Sequence, residues 1–270
     1  MKKMFKMLNY ENKITVSGLV KNFKVKKADG KKSKAYITIA NEKDDSVVTV
    51  TLYDRSKFAF GTKDDKVEYS GLDGFSKAFL NVDGTPKGVY ATAIGSATDT
   101  VGQNGTVYEN NNVFMLMPSS EQGQKTEFNL IGIIRSVSTF TDEDDNEYAK
   151  LKIASVNSYE QDGKTIVRGI NEKTIVVRDA ASLEILEDCN AGDYIRAKGV
   201  IINKKAEYDE WGDKVSSGAR EFLATKVGNH KEKDDLDDEH IAIFKKACEL
   251  EYGEKFFVDE DGEIDEDDDF

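Results

Sequence analysis

Hydrophobic and polar residues alternate with a period of two in AYITIA. Ala35, Ile37 and Ile39 fall on one side, and Tyr36 and Thr38 on the other. The same alternation returns in VVTVTLYD, with Val48, Val50 and Leu52 opposed to Thr49, Thr51 and Tyr53. A strand sends successive side chains to opposite faces, so both stretches predict half-buried β-strands. The pattern is also duplicated. ITVSGLVKNFKVKKADGKKSKAYITIA (14–40) lies on FNLIGIIRSVSTFTDEDDNEYAKLKIA (128–154) at a constant offset of 114, matching Gly18 to Gly132, Lys21 to Arg135, Ala35 to Ala149 and Ile39 to Ile153. Beyond an insertion, TVTLYD (49–54) falls on TIVVRD (174–179), DKVEYSGL (65–72) on DYIRAKGV (193–200), and GVYATAIG (88–95) on EFLATKVG (221–228). A unit of about 100 residues is the size of a domain, too long for a solenoid repeat.

Each unit reads as about five strands, and the glycine inside its first strand marks a bulge or bend that lets a small sheet curl and close. In the second unit, AASLEILEDCNAGD spaces Leu183 and Leu186 as a short helix between the third and fourth strands. Such a unit resembles the five-stranded Greek-key barrel called the OB-fold. The expected fold is therefore mainly β: two tandem OB-like barrels, a short C-terminal helix and a disordered acidic tail. The expected boundaries are a first barrel at 1–95, a linker at 96–126 whose VFMLM patch forms an extra strand or docks on a barrel, and a second barrel at 127–228. A helix and connector at 229–257, with Ile241, Phe244, Ala247 and Cys248 at helical spacing, and a tail at 258–270 complete the chain.

Composition excludes several classes of function. No apolar run reaches the ~18 residues that span a bilayer, and the lysine-rich start lacks a signal-peptide core, so a cytoplasmic protein with no membrane partner is expected. Cys189 and Cys248 stand far apart, and the only histidines, His230 and His240, lie in the polar C-terminal segment. Neither a disulfide framework nor a zinc site fits. The carboxylates Asp142, Glu143, Asp144, Asp145 and Glu147 lack the central glycine and terminal glutamate of a calcium loop and read as a solvated hairpin. With no phosphate-cradling Gly-Lys-Ser/Thr loop and no nucleophile elbow, the chain is expected to be no enzyme and to need no metal or cofactor.

Charge locates the candidate chemistry. The net charge of -13 sits entirely in residues 229–270, which hold 18 acids and 5 bases, while residues 1–95 carry +7 and residues 127–228 carry -5. In the first unit, parity gathers Lys34, Tyr36 and Tyr53 with threonines on the outward face, beside a loop supplying Lys24, Lys26, Lys27, Lys31 and Lys32. Cations that neutralise phosphates, next to rings that stack unpaired bases, suit a flexible single strand without regard to its sequence. The loop GFSKAFLNVDGTPK adds Phe75, Lys77, Phe79 and Lys87. In the second unit the same parity gives Tyr148, Lys150, Lys152 and Arg178, and the loop 203–220 offers Lys204, Lys205, Tyr208 and Trp211. Its first loop is acidic where that of the first unit is basic, which suits weaker binding or contact with another copy of the chain.

The last residues, IDEDDDF, hold too many acids to bury and too few apolar groups to fold. A terminal ring with its carboxylate is a compact docking unit, and the acids before it steer the approach. Tandem OB-like units, a basic aromatic face and this ending together resemble single-stranded DNA-binding proteins of the replication type. The tail lacks the Ile-Pro-Phe ending usual in bacterial forms, so the resemblance points to a bacteriophage member acting in a bacterial host. It implies sequence-independent coating of single-stranded DNA in replication, recombination or repair. It also implies recruitment of replication or recombination proteins through Asp265, Glu266, Asp267, Asp268, Asp269 and Phe270. The alternatives are a tandem-barrel adaptor or assembly module that binds no nucleic acid, and an RNA-directed OB protein.

Overall fold

The computed structural model describes residues 10–27, 32–102, 104–142, 144–161, 164–203, 207–208, 214–216 and 220–252, with the backbone alone at 160–161, 164, 207–208 and 214–216. Its first half comprises β1 (Glu11–Lys26), β2 (Lys34–Asn41), β3 (Ser46–Tyr53), the small hairpin β4 (Lys57–Phe60) and β5 (Val67–Ser70), α1 (Gly71–Ser76), β6 (Tyr90–Val101) and β7 (Val107–Pro118). Its second half comprises β8 (Lys125–Thr141), β9 (Glu147–Gln161), β10 (Lys164–Val177), α2 (Ala180–Glu187), β11 (Tyr194–Asn203), the short pair β12 (Glu207–Tyr208) and β13 (Lys214–Ser216), β14 (Arg220–Lys231) and α3 (Asp238–Tyr252).

Each half closes into a five-stranded barrel, and the first strand makes closure possible. The early part of β1 pairs with β6, from Ile14↔Gly95 to Leu19↔Tyr90, and its late part with β2, from Leu19↔Ala40 to Lys26↔Lys34. At the changeover the backbones nearly touch: a Cβ on Gly18 would stand 2.1 Å from the Ala40 carbonyl oxygen, and one on Gly132 equally close to that of Ala154. Only glycine permits that approach. A bulge follows two to three residues later in both barrels, between Val20 and Asn22 and between Ile134 and Ser136. It turns out Lys21 and Arg135, each of which meets a glutamate at 3.0 Å, Glu42 and Glu172 respectively. The parallel pairs Leu52↔Val113 and Val177↔Ala224 complete the two closures.

The duplication therefore holds, but its later blocks are shifted by one strand. GVYATAIG belongs to β6 and its structural counterpart is β11, not β14: Ile14 pairs with Gly95 as Phe128 pairs with Gly199. Each of these two glycines lies against the closing strand, where a Cβ would stand 2.1 Å from the Asn112 carbonyl oxygen and 2.0 Å from that of Leu223. The segment 96–126, expected as a linker, holds the end of β6 and all of β7, the strand that closes the first barrel. DKVEYSGL, aligned with β11, instead ends the β4–β5 hairpin and opens α1.

The alternation seen in the sequence is borne out in the core. Ala35, Ile37, Ile39, Val48, Val50 and Leu52 point inward and are at most 1% exposed. Helices sit on the barrels as the second-unit pattern predicts. Asp179 caps α2 by accepting from the Ser182 amide at 3.0 Å, and Leu186 of that helix is buried. α3 buries Phe244, Ala247 and Cys248 against Ile131, Ile133, Val156 and Ile170 on the outside of the second barrel. Tyr10 stacks on Phe244 at 6.3 Å and closes the same cluster.

Two features join the barrels. β1 and β8 pair antiparallel from Glu11↔Ile131 to Ser17↔Lys125, so one sheet runs through both halves. The β6–β7 hairpin also extends past its own barrel onto the second. Lys173, 4% exposed, donates to Asp99 at 2.7 Å and to Glu109 at 3.1 Å, and Arg220 reaches Glu109 at 2.6 Å. The Thr174 amide donates to the other Asp99 oxygen at 2.9 Å.

Candidate functional site

Pairing register decides which outward side chains become neighbours. Residues directly opposite each other share a face, so β1, β2 and β3 lay out two rows across the first barrel. One row is Lys24, Tyr36 and Thr51, and the next is Lys26, Lys34 and Tyr53. Asn112 of β7 extends the first row past Thr51. Tyr53 is 43% exposed, and the Lys34 ammonium stands 5.1 Å from the centre of the Tyr36 ring. The Tyr36 hydroxyl beside it raises the Lys34 pKa above its ordinary value. Among the described residues, Lys24, Lys26 and Lys34 form no ion pair. Rings and uncommitted cations thus share one surface.

The rest of the first-barrel set divides. Lys27 pairs with Asp73 at 3.0 Å with both side chains largely in solvent, and Lys32 is exposed. Lys31 lies outside the described residues. Lys77 and Lys87 stand beyond α1, where the Lys87 ammonium donates to the Lys77 carbonyl at 2.5 Å. Phe75 and Phe79, expected as binding rings, are core residues at 1% and 0% exposure. Phe75 stacks on Phe58 at 4.7 Å and Phe79 on Phe23 at 5.4 Å, so α1 and the turn after it plug the end of the barrel with aromatic side chains. GFSKAFLNVDGTPK runs from α1 towards β6. The loop joining the fourth and fifth barrel strands is 102–106 in the first half, and 204–219 in the second.

On the second barrel Tyr148, Lys150, Lys152 and Arg178 do share the outward parity, and a ring absent from the sequence candidates joins them. Phe140, 40% exposed, stacks on Tyr148 at 5.4 Å. Lys150 stands 5.0 Å from the Phe140 centroid, and the Arg178 guanidinium 4.6 Å from that of Tyr148. Phe140 falls on the polar parity of β8, and that was the available signal. Here, however, two of the three cations are held by carboxylates. Arg178 binds Asp142 at 3.1 Å and lies 3.7 Å from Glu221, while Lys152 binds Glu172 at 2.6 Å. Asp142 also accepts from the Asn146 and Asp144 amides, which hold its pKa below the usual carboxylate range together with Arg178. The acid-rich hairpin is thus a turn folded on one aspartate. Lys204, Lys205 and Trp211 lie outside the described residues, as does the tail 265–270, and Tyr208 is described by its backbone alone.

The sequence also passes over β7. Phe114, 58% exposed, and Met115, 44% exposed, follow Val113, the partner of Leu52, where a register shift against β6 turns them outward. Arg55 donates to the Phe114 carbonyl at 2.7 Å and lies over Phe58. This places an apolar patch beside Arg55 and Phe58, from the VFMLM run expected to form an extra strand or dock on a barrel. Among the described residues, no group of three or more His, Cys, Asp or Glu is placed to hold a metal, and no helix is long and apolar enough to cross a membrane.

Two solved structures share the architecture. A deletion variant of the single-stranded DNA binding protein from Thermus aquaticus aligns with a TM-score of 0.51 and 12% identity over 86% of this chain and 100% of that one. The wild-type protein of the same organism aligns with a TM-score of 0.50 and 11% identity over 82% and 93% respectively. At such identity the likeness is one of fold. No protein-family model matches the chain, and no curated protein matches it.

Proposed function

We propose that this chain binds single-stranded DNA without regard to sequence, with the first barrel as the principal contact. The observation that carries this reading is the pair of rows across β1, β2 and β3, which places Tyr36 and Tyr53 among Lys24, Lys26 and Lys34. Unpaired bases stack on the rings, and the ammonium groups meet the phosphates. The second barrel offers stacking at Phe140 and Tyr148, but its arginine and one of its lysines are already held by carboxylates, which makes it the weaker partner. The fold shared with single-stranded DNA binding proteins supports the same reading.

The test is fluorescence anisotropy of a labelled deoxythymidine strand of roughly 30 nucleotides, a length that ~4–16 nucleotides per barrel allows both to engage. It is titrated at low and moderate salt with duplex DNA as the control. Salt-sensitive binding that prefers the single strand, and that weakens in Tyr36→Ala and Tyr53→Ala, is expected. Equal binding of duplex, or indifference to both substitutions, would reject the face. Competition with RNA of equal length separates a DNA role from an RNA role.

The proposal extends to a place in replication, recombination or repair, with the acidic segment through Phe270 recruiting partner enzymes and competing with DNA for the basic face. A chain shortened to end at residue 252 should bind single strands more tightly than the full chain. Unchanged affinity would remove the competition.

A further inference from the structure

A second cationic surface lies away from the Tyr36 face, where the two barrels meet. The pairs Lys13↔Asn129, Asn129↔Lys198 and Lys198↔Lys226 run through β1, β8, β11 and β14 and put those four side chains in one row. Arg196 and Lys125 flank the row. Together these residues line two adjoining depressions of about 570 and 170 Å³ that share Arg196 and Lys198.

The carboxylates of this groove are engaged. Glu127 binds Lys125 at 2.8 Å, and Glu11 accepts from the Asn129 amide group. Arg196 is oriented by donating to the Asn129 oxygen at 3.0 Å. Lys13, Lys198 and Lys226 form no ion pair among the described residues. Among the described residues the only ring in the lining is Phe128, whose side chain is buried at 3% exposure. The groove's described residues therefore offer positive charge and hydrogen-bond donors with no exposed ring for a base to stack on. It crosses the β1–β8 seam, so a chain lying in it passes from one barrel to the other.

We infer that this groove holds the phosphodiester backbone of the bound strand as it crosses between barrels, contacting phosphates and leaving the bases unread. The inference rests on the proposed single-stranded DNA binding and adds a second site to it. Three uncommitted lysines in one row should contribute to the salt dependence in proportion to the phosphates they neutralise, at a slope of about -0.7 per phosphate for single strands.

The test uses the full chain and the triple variant Lys13→Gln, Lys198→Gln, Lys226→Gln. Deoxythymidine strands of roughly 10 and roughly 35 nucleotides, one too short and one long enough to engage both barrels, are titrated across a salt series. The longer strand should bind the variant more weakly, with a slope of log K against log salt shallower by about 2. The shorter strand should bind both proteins alike, and thermal unfolding should be unchanged because all three side chains are exposed. Unchanged affinity and slope on the longer strand would overturn the groove while leaving the Tyr36 face intact. Equal losses on both lengths would also overturn it, since the lysines would then act as general charge. If the variant keeps its DNA affinity but no longer retains an acidic peptide corresponding to residues 258–270, the groove is a peptide seat and the inference fails. Failure of the wild-type protein to bind either strand would remove the proposed function itself.

Discussion

Tyr36 and Phe79 are aromatic residues of the same barrel that differ in burial. Phe79 is fully buried among Phe23, Phe60 and Phe75, so Phe79→Ala should leave a cavity and cost about 3–5 kcal/mol of stability. Tyr36 lies on the outward row, and Tyr36→Ala should cost about 1–3 kcal/mol of single-strand affinity through lost stacking while stability changes little. Chemical denaturation and anisotropy on both variants decide the matter; the reverse assignment of losses would sink the site. Glycine supplies a third residue-scale prediction. Because a Cβ on Gly18 would meet backbone only 2.1 Å away, Gly18→Ala must push β1 off β2, and a loss of about 1–3 kcal/mol or more is expected in the denaturation midpoint. The parity of AYITIA places Tyr36 outward, whereas nothing in the local pattern of SKAFLNVDG says that Phe79 plugs a barrel.

The element that most changes the picture is the β6–β7 hairpin. Its Asp99 and Glu109 clasp Lys173 and Arg220 of the second barrel in a site largely shut from water. Burial by itself pushes the Glu109 pKa up, but the charges of Lys173 and Arg220 outweigh it and hold the value below the ordinary glutamate range. A depressed folded-state pKa contributes stability that is fully present above the unfolded value of about 4.3 and is lost as pH falls through the lower folded value. Wild type should therefore exceed Glu109→Gln in melting temperature at about pH 6, with the gap closing towards about pH 3. A gap independent of pH would show that charge does not hold the clasp. Lys173→Met, which takes the cation from Asp99 while Glu109 keeps Arg220, should cost about 3–5 kcal/mol. None of this was legible in the sequence, because Asp99 and Lys173 are 74 residues apart and each looks like an ordinary strand charge.

At the scale of the molecule, the shared sheet and the clasp make the two barrels one folding unit. Buried residues of both, from Ile14 and Leu52 to Ile153 and Val227, belong to one contiguous core. Calorimetry on the full chain should show one cooperative transition; two resolved transitions would mean that the β1–β8 seam is only a contact between independent domains.

By itself the sequence determined the strand alternation, the duplication, the glycine at the crowded changeover of each first strand, and the parity that puts Lys34, Tyr36 and Tyr53 on one face. These follow from short-range rules: two-residue periodicity and the space a side chain needs. The tertiary structure alone decided that β7 closes the first barrel, that Phe75 and Phe79 are core, that Arg178 and Lys152 are held by carboxylates, and that Lys13, Lys198 and Lys226 form a row. Barrel closure pairs strands distant along the chain, and only the register of those pairs says which side chains meet.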